Sequence, residues 1–193
     1  MKSLNLISFI IPGLLFAGAV QAETASQDIP TALSITGKIS SASESCRVTL
    51  SQESLYFTMN ADEVIYQGND ATQPQIVTIT IKDGDVNHST CSQAVLDGHI
   101  AVKFVGEADN ADGTALANEY ALQDGAATGV GIGFFKEDHS PVAVNKDVLK
   151  VNTVGPVTNE GTLKFGVQPV RLTNQTITGG RISASATVEI ERL

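Results

Sequence analysis

The final stretch of the chain, ISASATVEIER, alternates without a fault. Ile182, Ala184, Ala186, Val188 and Ile190 share one parity, and Ser183, Ser185, Thr187, Glu189 and Glu191 share the other. A period of two sends successive side chains to opposite faces of a strand and cannot build one apolar stripe on a helix. The chain therefore ends in a long strand with one oily face, and that face has to be covered by something.

The same period recurs upstream. Short alternating runs at 33–39, 46–50, 75–82, 99–105, 130–135 and 162–172 read as strands. In VTITIKD, Val77, Ile79 and Ile81 form the expected buried face, with Ile76 just before it on the polar side; in HIAVKFVG, Ile100, Val102 and Phe104 do so. Asp83-Gly84, Asp97-Gly98, Asp112-Gly113, Asp124-Gly125 and Gly179-Gly180 punctuate the runs, and these residues tolerate the left-handed backbone of tight turns. No strong helical period, repeat or linker interrupts the pattern. One all-β domain, a sandwich or a barrel, is the fold class it predicts.

Residues 1–22 read as a secretion signal, with Lys2 at the start, a short apolar core and the small-residue triplet Val20-Gln21-Ala22. No later run is long enough to span a bilayer as a helix. Lys2 is the one charged residue in the leader, so the exported chain is more acidic than the formal net charge of −9 for the whole. Such a chain is a poor binder of nucleic acid and repels anionic lipid. Export also means an oxidising compartment. Cys46 and Cys91, the two cysteines of the chain, are expected to form one disulfide.

Motifs that could carry chemistry read better as structure. GVGIGFF (129–135) holds a G-x-G, but the glycines lie within a strand pattern and a turn follows where a dinucleotide loop needs a helix. EDHS (137–140) sets acid, histidine and serine side by side, where a nucleophilic triad draws them from separated positions; a hairpin turn is expected. His88, His99 and His139 lack ligand spacing, so no metal and no cofactor is expected. Asn87-His88-Ser89 and Asn174-Gln175-Thr176 match a glycosylation pattern too short to carry weight. Nothing in the sequence marks an enzyme.

Near the exported N-terminus, Ile29, Thr31, Leu33 and Ile35 share a parity, and three of the four are apolar. Chain termini are usually loose and polar. Periodicity alone leaves two readings open: a first strand of the chain's own domain, or a strand offered to another molecule. The order of ITGKI (35–39), Cys46, VTITIKDGD (77–85), Cys91, HIAVKFVGEAD (99–109), YALQDGAATGVGIGFFKEDHSPVAV (120–144), TLKFGVQPVRL (162–172) and GGRISASATVEIERL (179–193) resembles the pilin subunits of the type 1 fimbrial family, assembled by a chaperone and usher. The resemblance covers essentially the whole exported chain.

That resemblance implies an incomplete immunoglobulin-like β-sandwich lacking its last strand, completed by a donor strand from a neighbouring subunit. Residues 23–36 would be the donor-strand extension and 37–193 the pilin domain. Ile29, Thr31, Leu33 and Ile35 would be the donor side chains. Ile182, Ala184, Ala186, Val188 and Ile190 would line the groove and meet the chaperone. The partners implied are a periplasmic pilus chaperone, an outer-membrane usher and other pilin subunits, and the destination is the cell-surface fimbrium. The function implied is a structural subunit supporting cell adhesion. Alternatives are an adaptor, a terminator, a minor subunit that adheres through a loop such as 107–119, or a self-contained secreted β-sandwich that binds a ligand. The chain ends Arg192-Leu193, where many such pilins carry a tyrosine next to last.

Overall fold

The computed structural model describes residues 28–38, 46–84, 90–153 and 160–193, and for 28–38 the backbone. The leader 1–22, residues 23–27, Ile39 and the Asn87 motif lie outside the described residues. In chain order the elements are β1 (Asp28–Lys38), β2 (Cys46–Leu50), β3 (Ser54–Asn60), β4 (Ile65–Tyr66), β5 (Gln75–Asp83), α1 (Thr90–Leu96), β6 (Ile100–Gly106), β7 (Val130–Lys136), β8 (Pro141–Val142), β9 (Val148–Lys150), β10 (Asn152–Thr153), β11 (Gly161–Arg171) and β12 (Ile182–Arg192).

Two sheets face each other in an immunoglobulin-like sandwich. One runs β3-β1-β12-β6-β9 and the other β2-β5-β11-β7-β8. The long β11 takes its partners in succession: β5 and then β4 along one edge, β10 and then β7 along the other. The core between the sheets is filled by the residues whose parity marked them. Val77, Ile79, Ile81, Ile100, Val102 and Phe104 are all buried, and Ile76 is exposed. Phe104 of one sheet stacks on Phe134 of the other, with ring centroids 4.4 Å apart, and Phe165 closes the group at 4.6 Å from Phe104.

The structure adds elements that the alternation did not reveal. β3 is a full strand, with Leu55 and Phe57 buried. Helix α1 occupies a stretch read as a connection, and Asp83 at the end of β5 caps it. The Asp83 carboxylate accepts the Cys91 N–H at 3.0 Å and the Ser92 N–H at 3.2 Å, and it also pairs with the Ser92 hydroxyl. Such a cap satisfies helix donors that otherwise lack partners. The Cys46–Cys91 disulfide, Cα atoms 5.3 Å apart, ties β2 to this helix. The second sheet is also buried on its outer face. Ala71, Ala115, Phe135, Val170 and Leu172 form a small second core there.

Candidate functional site

The feature that sets this sandwich apart is the position of β1. It lies between β3 and β12, antiparallel to the first and parallel to the second. Without β1, those two strands would face each other across an open lane of unpaired backbone groups. Along that lane β12 presents Ile182, Ala184, Ala186, Val188 and Ile190, each at most 9% exposed, and β3 presents Leu55 and Phe57. These five β12 residues are the set whose parity predicted an inward face.

The backbone register places each expected donor residue. Thr31 sits opposite Ile182, Leu33 opposite Ala184, Ile35 opposite Ala186 and Gly37 opposite Val188. On the other side Ile29, Thr31 and Leu33 pair with Met59, Phe57 and Leu55. The apolar parity of β1 is thus in register with the buried parity of both neighbours. In the isolated chain, then, the N-terminal strand occupies the lane of its own domain.

Both ends of the lane are pinned. At the Ile182 end, buried Asn118 uses all its hydrogen-bonding capacity on backbone. Its oxygen accepts the Tyr120 and Ser183 N–H groups, each at 3.0 Å, and its amide nitrogen donates to the carbonyls of Ala127 and Arg181. This clamp fixes where β12 begins. Sequence reasoning did not single out Asn118, whose partners lie as far as 65 residues away. At the other end Lys103 meets Glu191 at 3.6 Å, a half-buried pair of small energetic weight.

Within the loop at 107–119 one carboxylate gathers several donors. Asp109 accepts N–H groups from Ala111, Gly113 and Ala115 and an amide proton from Gln67. Burial alone would push this carboxyl up, but the backbone donors of Ala115, Ala111 and Gly113, with Gln67, together hold it below the usual aspartate range. The loop joins the Ile182 end where the Glu119 N–H donates to the Ser183 carbonyl at 2.8 Å.

The remaining motifs serve the fold. GVGIGFF is β7, as the strand reading expected, and a Cβ on Gly131 would stand 2.6 Å from the Leu116 carbonyl oxygen. EDHS is the turn between β7 and β8. Asp138 accepts from the Ser140 hydroxyl and N–H, His139 sits at φ 71°, and the His139 ring meets the Ala71 carbonyl. Acid, histidine and serine are thus each spent on turn geometry. Among the described residues no three His, Cys, Asp or Glu side chains gather as a metal site, and no helix is long and apolar enough to cross a membrane.

A family model described as "Fimbrial protein" matches residues 33–191 of the chain. No curated protein matches the sequence. Among solved structures, the chain is similar to the P pilus rod subunit PapA, with 17% identity over 76% of this chain and 92% of that one, at a TM-score of 0.46. It is similar to an antigen and type I fimbria protein of Burkholderia pseudomallei, with 20% identity over 84% of this chain and 92% of that one, also at 0.46. It is similar as well to the CupB6 tip adhesin of Pseudomonas aeruginosa, with 11% identity over 85% of this chain and 41% of that one, at 0.42.

Proposed function

The chain belongs to the fimbrial protein family, and from that premise we propose that it is a structural subunit of a surface fimbria that polymerises by donating its N-terminal strand to the next subunit. The observation that carries this reading is the lane between β3 and β12, filled by a strand at the chain's N-terminal side. Strand addition of this kind draws affinity from backbone hydrogen bonds and specificity from alternate side chains in pockets. Ile29, Thr31, Leu33 and Ile35 are the donated residues, and Ile182, Ala184, Ala186, Val188 and Ile190 receive them. Each aliphatic group so buried contributes roughly 1.5–3 kcal/mol.

Before donation, a periplasmic chaperone covers the same lane and an outer-membrane usher passes the subunit on. Residues 1–22 direct export, 23–36 serve as the extension and 37–193 as the receiving domain. No catalytic step enters this account, and adhesion is supported by the polymer as a whole.

The test is Leu33→Asp, purified with its chaperone and offered to the usher. A lone carboxylate in an apolar lane costs several kcal/mol, so the yield of heat-sensitive ladder should fall by at least about tenfold, since each 1.4 kcal/mol is a factor of ten. The variant should still capture a labelled peptide spanning residues 23–38, because its own lane is intact. A ladder of normal length would sink the donor role of Leu33.

A further inference from the structure

On the outer face of the second sheet, at its β8 edge, lies a partly open cavity of about 190 Å³. Ala115, Phe135, Val142 and Val170 line it, and all four are buried. Gln67 stands at the rim with its amide fully spent. Its nitrogen donates to Asp109 and Thr114, and its oxygen accepts the Thr173 N–H. No lysine, arginine or histidine lines the cavity, and Asp147 is its one ionisable residue. One Asp147 oxygen accepts the Ala143 N–H at 2.8 Å, and among the described residues no cation pairs with this carboxylate. The cavity therefore suits an apolar group that carries a positive charge beside it.

The loop 119–126 displays such a group. Leu122 is fully exposed at its tip, so it does not enter the cavity of its own chain. A lone exposed leucine needs no explanation by itself. This one is held out by a braced turn. The Ala121 N–H donates to the Asn118 carbonyl at 3.0 Å, the Gln123 N–H to the Tyr120 carbonyl at 2.7 Å, and the Arg181 N–H to the Gly125 carbonyl at 2.8 Å. A side chain presented on a fixed turn loses little further freedom on contact. At the base of the same turn the Arg181 guanidinium lies 5.5 Å from the Tyr120 ring centroid and donates to the Asp124 carbonyl. Among the described residues it has no carboxylate partner. Size agrees as well: a cavity of about 150 Å³ takes a benzene ring, and the isobutyl group of leucine is smaller still.

We propose that a second copy of this chain docks on the cavity, its Leu122 seated inside and its Arg181 facing Asp147 across the contact. The loop and the cavity are different surfaces, so the contact is heterologous, and each copy keeps one of the two free for a further neighbour. Contacts of that kind build rings or open filaments. The apolar group supplies affinity, and the charge pair fixes orientation. The contact lies outside the lane between β3 and β12 and does not depend on donation of the N-terminal strand.

The test uses the full exported chain with its Cys46–Cys91 bridge intact. Chains carrying Leu122→Cys and chains carrying Ala143→Cys are mixed in equal amounts, mildly oxidised, and run on gels without reductant after heating. Ala143 lines the cavity next to Asp147. The control mixture pairs Leu122→Cys with Lys164→Cys, at an exposed residue of β11 outside the cavity. The first mixture should give at least about tenfold more cross-linked pair than the control, a difference of about 1.4 kcal/mol. Adding Arg181→Glu to the first chain sets like charges against each other and should cut that yield by at least about tenfold. Adding Asp147→Arg to the second chain should restore it. Restoration reads a direct pairing between copies, which a folding defect cannot imitate, and the far-ultraviolet spectrum of each chain reports its fold. A yield no higher than the control would overturn the proposal and leave the cavity to another occupant. An enriched yield that ignores Arg181→Glu, or that natively folded charge-reversed chains do not restore, would overturn the facing of Arg181 and Asp147. Unheated gels of the same samples report strand donation separately.

Discussion

Phe104→Ala should lower the unfolding free energy by about 3–5 kcal/mol, the range for removing a large aromatic from a core that cannot fully collapse. Phe104 is 1% exposed on β6 and lies in register with Val188 of β12. Its ring stacks on Phe134 and leans on Phe165, both from the opposing sheet. Loss of the ring therefore removes a bridge between the sheets at β6, the neighbour of β12 on the side away from β1. The transfer and cavity contributions add, and the contact between stacked rings is lost as well. Chemical denaturation should show a lower midpoint at an unchanged slope. Leu122→Ala is the matched control. Leu122 is fully exposed at the tip of a loop, and its truncation should stay within about 0.5 kcal/mol of the native chain.

Removing the Cys46–Cys91 disulfide should cost about 4 kcal/mol, with about 2–5 the usual range for a native bridge in an exported domain. The bond closes a separation of 45 residues and holds β2, an edge strand, to the short helix α1. Helices of this length do not persist alone. Reduction thus leaves α1 supported by the Asp83 cap and by burial of Ala94 and Val95. It also frees Cys46, the point from which the tether to β1 departs. Since domains of this size are stable by about 5–15 kcal/mol, the reduced chain should unfold at markedly lower denaturant. Midpoints for the oxidised chain and for Cys46→Ser with Cys91→Ser give the comparison. Equal midpoints would show that the bridge adds nothing to the fold.

What the sequence made legible was whatever depended on parity. The inward sets of β5, β6 and β12 were readable because each strand has one face on the core, and that geometry writes itself as alternation. The residues proposed as donors on β1 were marked by the same rule. Parity could not say whose lane they fill, since a strand of one's own and a borrowed strand have the same period. β7 and β11 were harder. Their outer faces are covered by Ala71, Ala115 and Leu172, so apolar residues occur at both parities. α1 is too short to show a helical period, and its cap comes from Asp83, before a turn signal that masked it. β3 carried its alternation in Leu55, Phe57 and Met59, yet exposed Tyr56 and the absence of a glycine turn hid it among connecting residues. Asn118 was not singled out, because its bond to the nearby Tyr120 N–H resembles an ordinary turn and the partners that make it a clamp, Arg181 and Ser183, lie more than 60 residues away.

The measurement that bears most directly on the account uses two native lysines. In the free monomer Lys38, Glu189 and Lys103 lie in register across three adjacent strands. The two lysine backbones are then about 10 Å apart, two strand spacings, within reach of a short amine cross-linker. Monomer should yield the Lys38–Lys103 link within one chain. Polymer grown from an equal mixture of isotopically heavy and light chains should lose that link. It should show instead heavy–light pairs joining the 28–38 segment of one chain to the receiving domain of another. Polymer that keeps Lys38–Lys103 within single chains, with no heavy–light pair involving 28–38, would mean that the strand never leaves its own fold, and would contradict donation of the strand between subunits.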